Sequence, residues 1–158
     1  MLNIRKASKS DIDLLIKLRF DYINTDFDRL NPEEEDKIKK QLNEYFPKHF
    51  DYGDFIAVIA EFDGKIAGTA FMVINERPAN TGFITGKTAD IYNVLTYPEY
   101  RRQGIATKLM EVLIDEAKKA NVSFIELSAS SMGKSVYEKV GFTEKSHSKF
   151  TEMRLKLI

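Results

Sequence analysis

The residues best placed for chemistry are Tyr97-Pro98-Glu99-Tyr100-Arg101-Arg102-Gln103-Gly104-Ile105-Ala106. This basic, glycine-containing turn leads from an apolar, strand-like run over 91–95 into an amphipathic helix beginning near Ile105. The first turn of a helix has backbone N–H groups without intrahelical acceptors and lies at the positive end of the helix dipole. A phosphate fits such a point. Gly104 lets the main chain approach a ligand, Ala106 is too small to crowd one, and Arg101 and Arg102 can add charge-assisted bonds to phosphate oxygens. Taken alone, the turn serves equally well as an ordinary strand-to-helix connection.

A second segment, Ser128-Ala129-Ser130-Ser131-Met132-Gly133-Lys134-Ser135-Val136-Tyr137-Glu138-Lys139-Val140-Gly141-Phe142, has the same form: small residues end a strand and a short helix follows. In α/β sheets a ligand lies beyond the carboxyl ends of the strands. Both turns therefore point at one edge of the sheet.

The elements that must position them follow from pattern. A strand is predicted over 2–6 and a helix over 11–22, capped by Ser8 or Ser10, with Ile12, Leu15, Ile16 and Leu18 as its apolar face. Asn31-Pro32-Glu33-Glu34 starts a second helix, expected to reach Tyr45 or Phe46 and to stop at Pro47. Strands over 55–62 and 65–74 flank Asp63-Gly64, a hairpin signal. A loop over 75–88 precedes a strand over 89–95. Ile105, Leu109, Leu113 and Ala117 give one apolar stripe to a helix over 105–120. A strand over 124–127, a short helix over 133–139 and a closing strand over 150–157 complete one mixed α/β layer, read as a single domain over 1–158.

Composition narrows the function classes. Lysine plus arginine and aspartate plus glutamate each total 24, giving a formal net charge of +0, which argues against general nucleic-acid binding. With no cysteine and only His49 and His147, thiolate chemistry is excluded and a histidine-rich metal centre is not expected. No apolar stretch is long enough to span a bilayer, and the start lacks a signal-peptide core. The expectation is a cytoplasmic protein that contacts neither membrane nor nucleic acid.

Together the two segments resemble the GNAT superfamily of acetyl-CoA-dependent N-acetyltransferases. Arg101-x-x-Gly104-x-Ala106 is similar to its Q/R-x-x-G-x-G/A pyrophosphate signature, and Val136-Tyr137-Glu138-Lys139-Val140-Gly141-Phe142 to its Leu-Tyr-Glu-Lys-x-Gly-Phe ending. The element order agrees over nearly the whole chain. The fold implied is α/β (α+β), a mixed, mostly antiparallel sheet flanked by helices and splayed at the acetyl-CoA site. The resemblance implies that the backbone of Val94, Leu95 and Thr96 bonds the pantetheine arm. It assigns the pyrophosphate to the N–H groups of Arg102, Gln103, Gly104, Ile105, Ala106 and Thr107. It makes Tyr137 the proton donor to the departing CoA thiolate. A phenol suits that role, being protonated near pH 7 with a reference pKa of about 10, not far above a thiol's roughly 8.5.

The acceptor side is less defined. Asp90 and Asn93 on the central strand, or Asp21, Tyr22 and Asp26 at the end of the first helix, are candidates to contact the amine or hold a water that takes its proton. Ser130 departs from the family's frequent Asn, so a pantetheine bond weakens or passes to Ser131. Lys134 is within reach of a CoA phosphate or else a solvated surface lysine. Relatives are often dimers, which makes a homodimer an expectation by analogy.

Other patterns compete. Gly82-Phe83-Ile84-Thr85-Gly86-Lys87-Thr88 has three residues between its glycines where a P-loop needs four, and a strand follows rather than a helix. It reads better as a loop beside the acceptor pocket, offering Arg77, Asn80 and Lys87. The acidic run Asp26, Asp28, Glu33, Glu34, Glu35 and Asp36 either draws a cationic amine or simply begins a helix. Tyr45, Phe46, Phe50 and Tyr52 complete a core or cover a substrate. The reading is an N-acetyltransferase moving acetyl from acetyl-CoA to a small-molecule or peptide primary amine by direct attack in a ternary complex. A non-catalytic CoA-binding module and a nucleotide-dependent phosphotransferase are its rivals.

Overall fold

A computed structural model describes residues 1–145 and 148–158. His147, expected at the surface, lies outside the described residues. Five strands form one sheet in sequence order: β1 (Leu2–Lys6), β2 (Phe55–Phe62), β3 (Lys65–Glu76), β4 (Lys87–Thr96) and β5 (Ile125–Glu126). The first three pairings are antiparallel and the β4–β5 pairing is parallel. Helices α1 (Ile12–Asp26) and α2 (Pro32–Tyr52) cover one face. Helices α3 (Ile105–Lys119) and α4 (Lys134–Lys139) belong to the other.

Two hydrophobic cores result. On the α3 side, Ile105, Leu109, Met110, Leu113 and Ala117 bury against Val58, Ala60, Ala70, Met72, Ala89 and Ile91. On the other side, Leu15, Leu18, Leu42 and Phe46 meet Phe55, Ala57, Ile59, Phe71 and Leu95. Alternate residues of β2 thus serve opposite cores, which is why its sequence reads as continuously apolar. Each fully buried leucine or phenylalanine contributes about 1.5–3 kcal/mol. Arg5 clamps β1 to this frame through a two-pronged ion pair with Asp11 at 2.9 Å and a bond to Glu61 at 2.9 Å. Asp11's carboxyl is held below its ordinary range, first by that bond.

Several expectations are corrected. α1 runs four residues past Tyr22. α2 does not stop at Pro47 but continues to Tyr52 with Pro47 inside it, and Gly53 caps it. Phe46, 1% exposed, and Phe50 both pack on Phe55 from either side of the proline, and this packing outweighs a proline cost of about 3 kcal/mol. The acidic run proves to be a helix start. Asn31 accepts a bond from the Glu34 N–H, the Glu34 carboxylate accepts one from the Asn31 N–H, and Glu33 pairs with Lys37. The closing strand over 150–157 is not formed. Phe150, Met153, Leu155 and Leu157 are exposed, and alternation alone makes no strand without a paired neighbour. Among the described residues, no helix is long and apolar enough to cross a membrane.

Gly68 sits where β3 meets the end of β4. A methyl group there would lie 2.5 Å from the Leu95 carbonyl oxygen. Gly68→Ala is therefore expected to lower stability by about 1–3 kcal/mol in urea unfolding, as overpacking against backbone does.

Candidate active site

The centre of β4 is irregular. Between the pairs Thr69–Leu95 and Phe71–Tyr92, β3 advances two residues and β4 three. This bulge reverses the side-chain alternation: Ile91 faces the α3 core, yet Leu95, four residues on, faces the α1–α2 core. Asn93 lies in the bulge with φ +57°, a left-handed conformation that asparagine tolerates better than most residues. It is 1% exposed. Its side-chain N–H donates to the Leu18 carbonyl at 3.4 Å, and its side-chain oxygen accepts from Arg19 at 3.3 Å. Asn93, expected to meet the amine, is instead bound by α1.

β5 pairs with β4 only at Ala89–Ile125 and Asp90–Glu126. β5 ends at Glu126, so among the described residues the β5-side backbone of Val94, Leu95 and Thr96 has no strand partner. The Thr96 hydroxyl is buried and has no partner. After β4, a single 3₁₀ turn (Pro98–Tyr100) leads to the basic turn, whose residues Arg101 to Gly104 are all exposed. Arg102 and Gly104 have φ of +61° and +75°. The Lys108 N–H donates to Gly104, the first intrahelical bond of α3, so the N–H groups of Ile105, Ala106 and Thr107 precede the helical ladder. Nothing lies within 4 Å of a methyl group built on Gly104, which leaves open space for an anion against these donors. Arg101 turns back, its Nε donating to the Thr96 carbonyl at 3.1 Å. Arg102 and Gln103 remain exposed.

Tyr137 lies on α4 and packs against the α3-side core. Its ring packs edge-on to Phe142, and a methyl group on Gly133 would stand 3.1 Å from the ring and 3.5 Å from the hydroxyl. Burial, and then the nearby Tyr22 and Asp26 of α1, push the phenol up to about 12. Ser130 accepts a bond from the Gly133 N–H at 3.1 Å, which fixes the start of α4 and leaves Ser131 exposed beside it. Lys134 pairs with Glu144 and Glu138 at the surface.

The other candidates are elsewhere engaged. Asp90 accepts from Asn75 at 2.6 Å, and the charge that Tyr137 senses is Asp26 rather than Asp90. Asp21 binds Lys17 at 2.6 Å and the Tyr97 hydroxyl. In the β3–β4 loop, Arg77 donates to Thr88 and lies over the Phe83 ring at 4.3 Å, while the Asn80 side chain accepts from Gly82 and Phe83. That loop closes on itself. On the α1–α2 face, a cleft of about 320 Å³ is lined by Arg19, Gln41, Leu42, Tyr45, Phe55, Phe71, Val73 and Tyr92. Here Phe46 serves both the core and the cleft wall and Tyr45 lines the cleft, whereas Tyr52 is 67% exposed. Arg19 and Gly133 escaped the sequence reading. The signal for Arg19 was its spacing, three and four residues after Ile16 and Leu15 on the buried face of α1.

Residues 20–142 match the Acetyltransferase (GNAT) family. The crystal structure of a predicted acetyltransferase with acetyl-CoA from Clostridium acetobutylicum is 32% identical, with a TM-score of 0.82 over 98% of this chain and 96% of that one. Glucosamine-6-phosphate N-acetyltransferase from Arabidopsis thaliana shares the fold, at 24% identity and a TM-score of 0.70 over 98% and 99% of the two chains. Ribosomal protein bS18-alanine N-acetyltransferase of Escherichia coli K12 is 39% identical over 59 residues, which span 35% of this chain and 40% of that protein's length.

The bulge yields a test. Asn93→Val, which puts a β-branched residue at φ +57°, is expected to lower the thermal midpoint well below that of Asn93→Gly, a gap worth about 1–2 kcal/mol. Equal losses would mean that the side-chain bonds, not the left-handed backbone, dominate at this position.

Proposed function

Since the chain belongs to the GNAT acetyltransferase family, we propose that it transfers acetyl from acetyl-CoA to a primary amine by direct attack in a ternary complex. The observation that carries this reading is the free first turn of α3, which follows directly on an end of β4 that β5 leaves unpaired; the buried Tyr137 phenol of α4 is the proton donor of the reading. The diphosphate rests on the N–H groups from Arg102 to Thr107, with the Arg102 guanidinium adding charge. The pantetheine arm runs along Val94, Leu95 and Thr96 as an added strand segment, in the place β5 vacates.

The chemistry follows from these positions. The amine nitrogen attacks the thioester carbonyl carbon, and the oxygen's developing negative charge is met by a backbone N–H near Leu95 or Thr96. The carbon–sulfur bond then breaks. Tyr137 gives its proton to the thiolate, and the phenolate regains one from the water chain that removes the ammonium proton past Asp26. The products are the N-acetyl amine and free CoA thiol. Asn93 and Arg101 act as positioning residues, the first through the bulge and the second through the Thr96 carbonyl. Ser131 and Lys134 lie at the rim of the same edge, where Lys134's ion pairs oppose a direct phosphate contact. Asp90 contributes field rather than contact.

A panel of primary amines with acetyl-CoA, followed by thiol release, tests the reading. Thermal protection by acetyl-CoA without thiol release from any amine would favour the binding-module alternative. Tyr137→Phe is expected to keep acetyl-CoA affinity and to lower kcat about 100-fold. Because burial raises the phenol, its donor form persists as pH rises, so kcat should show no descending limb between about pH 8 and pH 10. A decline there that Tyr137→Phe abolishes would contradict the buried environment. Gly104→Val is expected to weaken acetyl-CoA binding by about 10-fold or more in calorimetric titration, since φ is +75° and the side chain would enter the anion's space.

A further inference from the structure

The cleft on the α1–α2 face has one charged side chain among its described lining residues, Arg19. The remainder is mostly aromatic and aliphatic: Leu42, Tyr45, Phe55, Phe71, Val73 and Tyr92. Arg19 is half-buried, and its recorded polar contact is a bond to a neutral acceptor, the Asn93 side chain at 3.3 Å. Its guanidinium stacks over Tyr22 at 5.8 Å. Arg5, by contrast, pairs with Asp11 and Glu61. Among the described residues, no carboxylate stands within ion-pair distance of Arg19. Burial accordingly pulls it below its ordinary range, while only Tyr22 and Tyr92 offset that pull.

A cation placed this way, with planar paired donors, is built to meet an oxyanion. Its location gives the rest of the ligand. Arg19 donates to Asn93, which precedes the Leu95 and Thr96 backbone that meets the thioester carbonyl in the acetyltransferase reading. One helical turn further along α1 stands Tyr22, whose ring lies under the Arg19 guanidinium and which, after burial, helps to raise the Tyr137 phenol. An anionic group on Arg19 therefore leaves an amine one or two bonds away at the bulge, while the body of the molecule fills the aromatic cleft. We propose that the acceptor is a small amino carboxylic acid with an aromatic or aliphatic side chain, its carboxylate paired with Arg19. This rests on the acetyltransferase reading, and it runs against polycationic acceptors, whose charge Arg19 would repel.

Matched pairs decide it: phenylalanine against phenethylamine, leucine against 3-methylbutylamine, and O-phosphoethanolamine against ethanolamine, each compared by kcat/KM for thiol release. The carboxylate members are expected to exceed their neutral partners by about 10- to 100-fold, the value of a charge-assisted bond. Arg19→Gln should erase that ratio, and Arg19→Lys should restore part of it. A brace that merely holds Asn93 would lower both members of a pair in proportion and leave the ratio intact, which overturns the proposal. Preference confined to the phosphate pair would overturn it as well. Calorimetric titration of phenylalanine without acetyl-CoA separates this inference from the transfer reading. Binding that Arg19→Gln removes supports the carboxylate site even where no amine is acetylated, and absence of binding to the wild-type protein overturns it while transfer to neutral amines still stands.

Discussion

The structure turns on a single buried amide. Asn93 holds a left-handed backbone in the middle of an otherwise extended strand, and such a residue persists only where its surroundings over-determine it. Leu18 and Arg19 supply that constraint from α1, one accepting and one donating. Because the bulge inserts one residue, it sends Leu95 to the opposite core from Ile91 and bends β4 away from β5. The same two bonds thus fix where α1 crosses the sheet and where the sheet opens.

The opening matters because the end of β4 and the start of α3 meet there. β5 leaves its neighbour after two paired residues, freeing a run of backbone on β4, and α3 begins directly beyond. Packing on both faces keeps this edge rigid: the α3 stripe fixes the helix that bears the anion-binding turn, and the aromatic core fixes α1 and α2. The phenol of Tyr137 is held between layers, against Gly133 and Phe142, in surroundings poor enough in water to keep it protonated. Membership in the acetyltransferase family agrees with this arrangement, since a fold that splays a sheet at one point can seat an extended cosubstrate as a surrogate strand.

Local pattern made much of this legible. The apolar spacing of Ile105, Leu109, Leu113 and Ala117 defined α3 almost to the residue, and Asp63-Gly64 marked its hairpin. Arg101-x-x-Gly104-x-Ala106 and Tyr137 with Phe142 located the two sides of the edge. Pattern misled where a distant contact outweighed a local preference. Pro47 remained inside α2 because Phe46 and Phe50 were anchored on Phe55. Residues 150–157 alternate like a strand but have no neighbour in the sheet, and pairing is not a property that alternation carries.

The sequence by itself determined most of the elements and their order, because capping, periodicity and glycine placement act over a few residues. Only the tertiary structure decided what the remaining polar side chains do. Asn93 became a bulge residue because α1 supplied its partners across more than seventy positions of chain. Arg19, one charge on a helix face that spacing alone marks as buried, stands among the described residues with no acid on the cleft walls it meets, and that depends on which surfaces fold together.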